Sequence, residues 1–329
     1  MRAVAPWTPG APARVVLTDW PDPEPGPGEV VLEVRATALN RADLLQVAGR
    51  YPPPPGETPV PGLEAAGVVA SVGPGVERWR PGDRATALLA GGGHAERVAV
   101  PAGQLLAIPP GLDFREAAAL PEAAITAWTN LVVEGRVRAG EWVLISGATS
   151  GVGTFALQLA RELGARPIAA ARSLERMAGL DQLGAEARCA LDEALPARVR
   201  EATGGAGAAL ALDLVGGRWL SPLLAALAPR GRCILVGLVA GRRAELDLGL
   251  ILGQRLELRG SVLRSRPRAE KAALVAGFEQ FAAGRLADGR LRPVIARSYP
   301  FAEIARAYDD LEAGGQVGKL VIDVAADAD

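Results

Sequence analysis

Hydrophobic and polar positions fall into two textures along the chain. Up to about residue 110, short alternating runs are broken by glycine and proline. Glu29-Val30-Val31-Leu32-Glu33-Val34-Arg35-Ala36-Thr37 alternates apart from one apolar doublet and predicts a strand, as do Ala65 to Val72 and Arg97 to Val100. The pairs Pro61-Gly62, Pro74-Gly75 and Pro81-Gly82 punctuate these runs, which predicts a mostly β domain. Asn40 is positioned to cap one helix, Arg41 to Ala48, ended by Gly49. From Phe114 the rhythm changes. A helical stretch, Phe114 to Val133 with an interruption at Pro121, precedes six apolar strand candidates: Trp142–Ser146, Pro167–Ala171, Ala187–Ala190, Ala208–Asp213, Arg232–Val236 and Leu256–Ser261. Segments compatible with helix separate most of them, notably Val152–Leu163, Leu174–Leu183 and Trp219–Leu227. Strands alternating with helices at this spacing predict an α/β fold with a parallel, doubly wound six-stranded sheet. Two more helices, Ala269–Ala283 and Phe301–Ala313, and a strand, Lys319–Val324, exceed what such a sheet needs. The chain is therefore expected to return and complete its first domain, giving segments 1–120, 121–262 and 263–329.

Composition narrows the classes of function. The 329 residues are 49% hydrophobic and 22% charged with a formal net charge of −1, so no basic field is available for a nucleic-acid backbone. Lysine is confined to Lys271 and Lys319, and abundant arginine, alanine, glycine and proline match a GC-rich genome. Arginine positions thus carry information that arginine counts do not. One histidine, His94, and two cysteines, Cys189 and Cys233, show no metal-ligand spacing, and no metal is expected. The segment Met1–Trp7 lacks the apolar core of a signal peptide. The longest apolar run, Ile234 to Ala240, is far short of the roughly 20 residues that span a bilayer. A cytoplasmic protein without a membrane partner is expected.

The most informative segment is Trp142-Val143-Leu144-Ile145-Ser146-Gly147-Ala148-Thr149-Ser150-Gly151-Val152-Gly153. An apolar strand enters a turn of small residues, and an amphipathic helix leaves it. Backbone N–H groups at such a helix start can hold a pyrophosphate, and small residues let the main chain approach it. The pattern Ala148-x-Ser150-x-x-Gly153 stands in for the dinucleotide fingerprint of three glycines. Sites preferring NAD place a carboxylate about 20 residues on, at the end of the second strand. Here Arg172-Ser173-Leu174-Glu175-Arg176 follows the strand instead. Arg172, Ser173 and Arg176 could grip a 2′-phosphate, so NADPH is expected over NADH; the competing reading is two ordinary exposed arginines.

Several further blocks occur in order: Ala38-Leu39-Asn40-Arg41-Ala42-Asp43-Leu44, Gly49-Arg50-Tyr51-Pro52-Pro53-Pro54-Pro55-Gly56, Gly62-Leu63-Glu64-Ala65-Ala66-Gly67, Ala119-Leu120-Pro121-Glu122-Ala123 and Leu263-Arg264-Ser265-Arg266. With Ser150-Gly151-Val152-Gly153-Thr154 they make the whole chain resemble the zinc-independent quinone oxidoreductases of the medium-chain dehydrogenase/reductase superfamily. The closest likeness is to the tumour-suppressor-inducible quinone oxidoreductase branch. The resemblance implies a GroES-like domain, a Rossmann domain, NADPH in the cleft between them, quinone reduction and a homodimer. Zinc-dependent relatives carry a histidine beside the glutamate of Gly62-Leu63-Glu64; this chain has Leu63.

The resemblance also implies roles for single residues. Asn40, Asp43 and Tyr51 match positions lining the nicotinamide and substrate pocket, and Thr126 one on the nicotinamide side. Ser150, Gly151, Val152 and Gly153 match the phosphate turn. Gly237 and Leu238 follow the fifth strand, where a nicotinamide would enter. Leu263, Arg264 and Ser265 look like contacts to its carboxamide end, and Lys319 like a C-terminal cofactor contact. Bottom-up, the Tyr51 hydroxyl suits donation to the oxyanion that hydride addition creates. Plainer roles compete: Asn40 as an N-cap, Asp43 as a dipole partner, Tyr51 as packing and Lys319 as a solvated strand end. Leu191 replaces a tyrosine that many relatives carry, and Arg172 stands where close ones have a small residue. His94, on a glycine-rich loop, reads more readily as inert than as an acid. The expected reaction is hydride transfer from NADPH to a quinone without metal or flavin. The alternatives are reduction of an enone or enoyl thioester and, outside enzymes, a crystallin-like binding role.

Overall fold

Short apolar runs between glycine- and proline-rich turns build the first part of the chain. The computed structural model describes residues 1–7 and 15–325. Its first strands are β1 (Arg2–Val4), β2 (Leu17–Asp19) and β3 (Glu29–Ala38), followed by helix α1 (Arg41–Val47). Next come β4 (Glu64–Val72), β5 (Arg84–Leu88), β6 (Arg97–Pro101) and β7 (Leu105–Ala107), then helices α2 (Phe114–Ala118) and α3 (Pro121–Trp128). The break predicted at Pro121 falls between α2 and α3, and a π-helical turn, Thr129–Val133, prolongs α3.

The alternating stretch then gives β8 (Trp142–Ser146), α4 (Gly151–Glu162), β9 (Arg166–Ala171), β10 (Ala187–Ala190), α5 (Leu195–Ala202) and β11 (Ala208–Asp213). It ends with α6 (Leu220–Ala225), β12 (Leu227–Leu235), α7 (Leu248–Gln254) and β13 (Glu257–Gly260). All six strands are parallel, in the order β10-β9-β8-β11-β12-β13. Strands β8, β9 and β11 are buried almost end to end because helices cover both faces, so their sequences are apolar runs without alternation. One expectation fails here. Leu174–Leu183 forms only a 3-10 turn, Glu175–Met177, because Ala178 leaves the helical region at ψ 130° and Gly179 takes φ +83°.

The remaining elements are α8 (Arg268–Ala287), β14 (Ile295–Pro300), α9 (Ile304–Ala313) and β15 (Lys319–Asp323). Strand β15 lies antiparallel to β3 and parallel to β14, so the tail joins the sheet begun by the first hundred residues. That sheet runs β14-β15-β3-β4-β5-β7, with β6 also paired to β3. Accordingly the chain divides into one unit of Met1–Ile125 with Leu263–Asp329 and another of Thr126–Val262. On one sheet face Leu32, Phe301 and Tyr308 belong to the main core; on the other, Ala117, Ala118 and Ala119 of the α2 region meet Ala36, Ala38 and Ala66. Thr86 Oγ1 donates to Ala117 O at 2.6 Å, tying helix and sheet together.

Candidate active site

In the second unit, strand order reverses between β8 and β11, and the glycine-rich turn leaves β8 at this switch point. Gly147 adopts φ +65°, which lets the chain turn sharply after Ser146. Ser150 is the N-cap of α4, and its Oγ accepts the Gly153 N–H at 3.0 Å. Gly151 and Val152 form the first helical turn. Gly153 admits no side chain, since a Cβ there would lie 2.4 Å from Gly147 O. Beside the turn, Asp213 ends β11 opposite Ser146. Its buried Oδ1 accepts Ser146 Oγ at 2.7 Å, Val215 N at 2.9 Å and Gly216 N at 3.0 Å. Oδ2 is buried without a hydrogen bond from the described residues. The site thus offers a helix N-terminus, small residues and an unmatched acceptor, the chemistry a dinucleotide's phosphates and hydroxyls complement.

Arg172 directly follows β9, and Arg176 lies in the 3-10 turn beyond it. Both are exposed, and among the described residues neither guanidinium forms an ion pair. Ser173 Oγ accepts Arg176 N at 3.4 Å, which keeps the hydroxyl beside the arginine backbone. Gly237 passes so close to β11 that a Cβ would meet Leu214 O at 2.2 Å, and Leu238 beyond it is exposed. Thr126 is buried, and its carbonyl accepts Asn130 Nδ2 at 2.8 Å at the start of the π-helical turn.

The first unit brings its candidates together at one end of three strands. The register Val321 to Ala38 and Thr37 to Ala65 sets Lys319, Asn40 and Glu64 side by side. Lys319 Nζ donates to Glu64 Oε1 at 2.5 Å and to Asn40 Oδ1 at 2.6 Å. Asn40 Nδ2 donates to the same Glu64 oxygen at 2.8 Å, while Glu64 Oε2 accepts Glu122 N at 2.9 Å. Asn40 does occupy the N-cap position of α1, but its amide serves this cluster. The helix start is held instead by Asp43, whose Oδ2 accepts Asn40 N at 2.7 Å and whose Oδ1 accepts Gly62 N at 3.2 Å. Although Glu122 as a whole is only half-buried, dehydration of its carboxyl and the neighbouring Glu64 carboxylate push its pKa up to about 8.

A second cluster surrounds Tyr51. Arg264 is buried, with its guanidinium 5.0 Å from the Tyr51 ring centre. Its Nε donates to Ala90 O at 2.7 Å, one terminal nitrogen to Gln46 Oε1 at 2.6 Å and the other to Tyr51 O at 3.2 Å. Burial lowers the Arg264 pKa and raises that of Tyr51, whose hydroxyl has no hydrogen-bond partner among the described residues. Leu263 is buried beside Arg264, and Ser265 is exposed. His94 is a core residue: Nδ1 lies 2.8 Å from Tyr308 Oη, and Nε2 3.5 Å from Ala38 O. Burial lowers its pKa despite the Asp43 carboxylate 4.0 Å away.

This arrangement has relatives. Residues 26–110 match the family model of the alcohol dehydrogenase GroES-like domain, and residues 151–278 that of zinc-binding dehydrogenases. The quinone oxidoreductase of Rattus norvegicus is 30% identical over 340 residues, covering 98% of this chain and 97% of its own. The chain belongs to the medium-chain dehydrogenase/reductase superfamily. Among solved members, the quinone oxidoreductase from Thermus thermophilus, known also in complex with NADPH, is 36% identical with a TM-score of 0.82, over 98% of this chain and 100% of that one. A mycocerosic acid synthase-like polyketide synthase of Mycobacterium tuberculosis is 33% identical over 305 residues, 91% of this chain. The chain spans only 14% of that synthase's length. For a superfamily with zinc-dependent members, the donor set here does not fit zinc. Leu63 stands beside Glu64, His94 is committed to Tyr308, and both cysteines are buried. Among the described residues, no three His, Cys, Asp or Glu side chains group as a metal site. A nicotinamide dinucleotide does fit the turn that Gly147, Ser150 and Gly153 shape.

Glu64, Glu122, Gln46 and Asp213 hold these clusters together, yet sequence reasoning did not single them out. The available signal was a lone carboxylate in an apolar run, as in Leu63-Glu64-Ala65 and Leu212-Asp213-Leu214. Two outcomes follow from the charges. Between its ordinary value of 4.5 and about 8, Glu122 holds in the folded state a proton that the unfolded chain has lost. Unfolding free energy should fall as pH rises through that window, by at most about 1.4 kcal/mol per pH unit. In Glu122→Gln that slope should flatten, with the variant more stable than the parent above pH about 8, as read by urea unfolding across pH. Lys319→Met should cost about 3–5 kcal/mol by leaving Glu64 buried without its cation. Adding Glu64→Gln should recover part of that loss in the same measurement.

Proposed function

We propose that the protein reduces quinones with NADPH, by direct hydride transfer without metal or flavin. The observation that carries this reading is the Ser150-capped turn at the sheet's switch point, followed one strand later by two guanidiniums without an ion pair among the described residues. The near full-length likeness to quinone oxidoreductases supports it. NADPH, when bound, supplies the hydride. The chain's part is to bind and orient. Backbone N–H groups of Gly151 and Val152 would hold the pyrophosphate, and Arg172, Ser173 and Arg176 the 2′-phosphate. Thr126, Gly237, Leu238, Leu263, Arg264, Ser265 and Lys319 are the further cofactor-side residues of this reading. For Arg264 and Lys319 the role is indirect, because their donors hold Tyr51, Gln46, Glu64 and Asn40.

On the substrate side, burial keeps the Tyr51 phenol protonated at neutral pH, and its hydroxyl has no competing partner among the described residues. It can donate at Oη to the oxyanion created by hydride addition. The Arg264 guanidinium over the ring fixes the phenol's orientation. Asp43 orders the α1 start, and Lys319 and Glu64 fix the Asn40 amide; orientation of this kind supplies much of the rate in a two-electron transfer. The likeness to polyketide synthases favours a second reading, reduction of the double bond of an enone or enoyl thioester. It uses the same cofactor residues and differs only in the acceptor.

NADPH oxidation followed optically with naphthoquinone, phenanthrenequinone, a simple enone and a crotonyl thioester separates these readings. Turnover confined to the quinones is expected; turnover confined to the enone or thioester would transfer the enzyme to the second. Arg172→Ala with Arg176→Ala should raise KM for NADPH about tenfold or more and leave that for NADH unchanged. Equal effects on both cofactors would remove the 2′-phosphate assignment.

A homodimer in the cytoplasm completes the proposal. Strand β13 is exposed along its length at the sheet edge, and α7 buries none of its residues. Leu252 is 82% exposed and Leu248 73%, an apolar edge suited to a second copy of this sheet. Leu252→Glu should shift the protein from dimer to monomer in light scattering; an unchanged mass would discard this edge as the interface.

A further inference from the structure

The first unit contains a cavity of about 360 Å3, whose wall includes none of Asn40, Asp43 and Tyr51. Val60, Leu88, Leu89 and Val98 form its apolar side. Its other side carries Asp22, Glu29, Glu57, Arg97 and Arg268 and two buried polar side chains, Lys271 in α8 and Gln104 in the 3-10 turn Ala102–Gln104 after β6. Gly103 makes this juxtaposition possible. A Cβ there would lie 2.8 Å from the Ala272 Cβ, so the turn rests directly on α8. Each of Lys271 and Gln104 is only 2% exposed.

Neither side chain is satisfied among the described residues. The Lys271 ammonium donates to one acceptor, Arg264 O, at a long 3.4 Å, although it carries three N–H donors. Gln104 Oε1 is buried with no hydrogen bond from the described residues. The acids on the wall are engaged elsewhere. Glu29 pairs with Arg268 at 2.7 Å and Glu57 with the same guanidinium at 3.6 Å. Asp22 takes the N-terminal ammonium at 2.9 Å and also Arg97. Among the described residues, no carboxylate forms an ion pair with Lys271. Burial lowers its pKa, with only the more distant Glu57 and Glu122 carboxylates opposing. A dehydrated ammonium and a dehydrated carbonyl oxygen in one cavity call for an acid and a hydrogen-bond donor in one molecule.

We propose that this cavity binds a small hydroxycarboxylate, its carboxylate on Lys271 Nζ, its hydroxyl donating to Gln104 Oε1 and its carbon chain against Leu88 and Leu89. The volume lies within the range of small-molecule sites, and Arg97 and Arg268 on the wall are already paired with Asp22, Glu29 and Glu57, which leaves Lys271 as the cation for an acid. Charge sets affinity through Lys271, whereas Gln104 selects for the hydroxyl.

Titration calorimetry of the full chain with 3-hydroxybutyrate, butyrate and 1,3-butanediol reads each half of the site, without NADPH or quinone. Saturable binding of 3-hydroxybutyrate is expected, with butyrate about tenfold weaker and the diol silent. Lys271→Met should abolish binding of both acids, and Gln104→Leu should bring them to equal affinity. The proposal is overturned if 3-hydroxybutyrate gives no saturable heat, if the diol binds as well, or if both variants bind like the parent. Should Lys271→Met not fold, the three probes and Gln104→Leu decide alone.

Discussion

A buried ammonium is costly unless it is paired, and Lys319 meets Glu64 at the point where three distant stretches of chain converge. Lys319 begins β15, Glu64 begins β4, and Asn40 follows β3. Their mutual hydrogen bonds fix the end of the sheet on which the first unit is built. The tail of the chain cannot leave this sheet without stranding a charge, because Glu64 is fully buried and Lys319 nearly so. The same contacts occupy the Asn40 amide and so shift helix capping onto Asp43. One ion pair thus determines the path of the chain, the start of α1 and the orientation of candidate site residues.

The second unit depends on a different constraint, the close approach of main chain to main chain. Gly153, Gly216 and Gly237 lie where a Cβ would come within 2.6 Å of a backbone oxygen. These contacts pack the switch-point loops tightly around the start of α4. Asp213 ties the floor together by accepting from Ser146 and two loop amides. Small residues in the turn are therefore a packing requirement first, whatever ligand the turn holds.

The two clusters of the first unit treat charge differently. Around Lys319 the buried ammonium, carboxylate and amide satisfy one another, which makes a rigid scaffold. Around Arg264 each guanidinium nitrogen makes one hydrogen bond, while among the described residues the Tyr51 hydroxyl has no partner and Lys271 is held by a single long bond. Unused hydrogen-bonding capacity is costly inside a protein, and in this unit it falls at the candidate proton donor and at the cavity lined by Lys271.

Much of this was legible in the sequence. The parallel six-stranded sheet of β8 to β13 followed from apolar runs alternating with helices, and the tight turn after β8 from small residues between a strand and a helix. The return of the tail was expected because its elements exceeded one sheet. Local signals also had limits: Leu174–Leu183 has helical spacing, yet Gly179 takes a left-handed conformation and breaks it. Asn40 was readable as a cap and is the N-cap residue of α1, but its side chain also reaches partners 24 and 279 residues away. Periodicity and turn chemistry are local, so the sequence by itself determined most of the elements, their order and the small-residue turn after β8. Which charges meet, which hydroxyl stays free and which lysine is left short of partners depend on contacts between distant segments, and only the tertiary structure decided them.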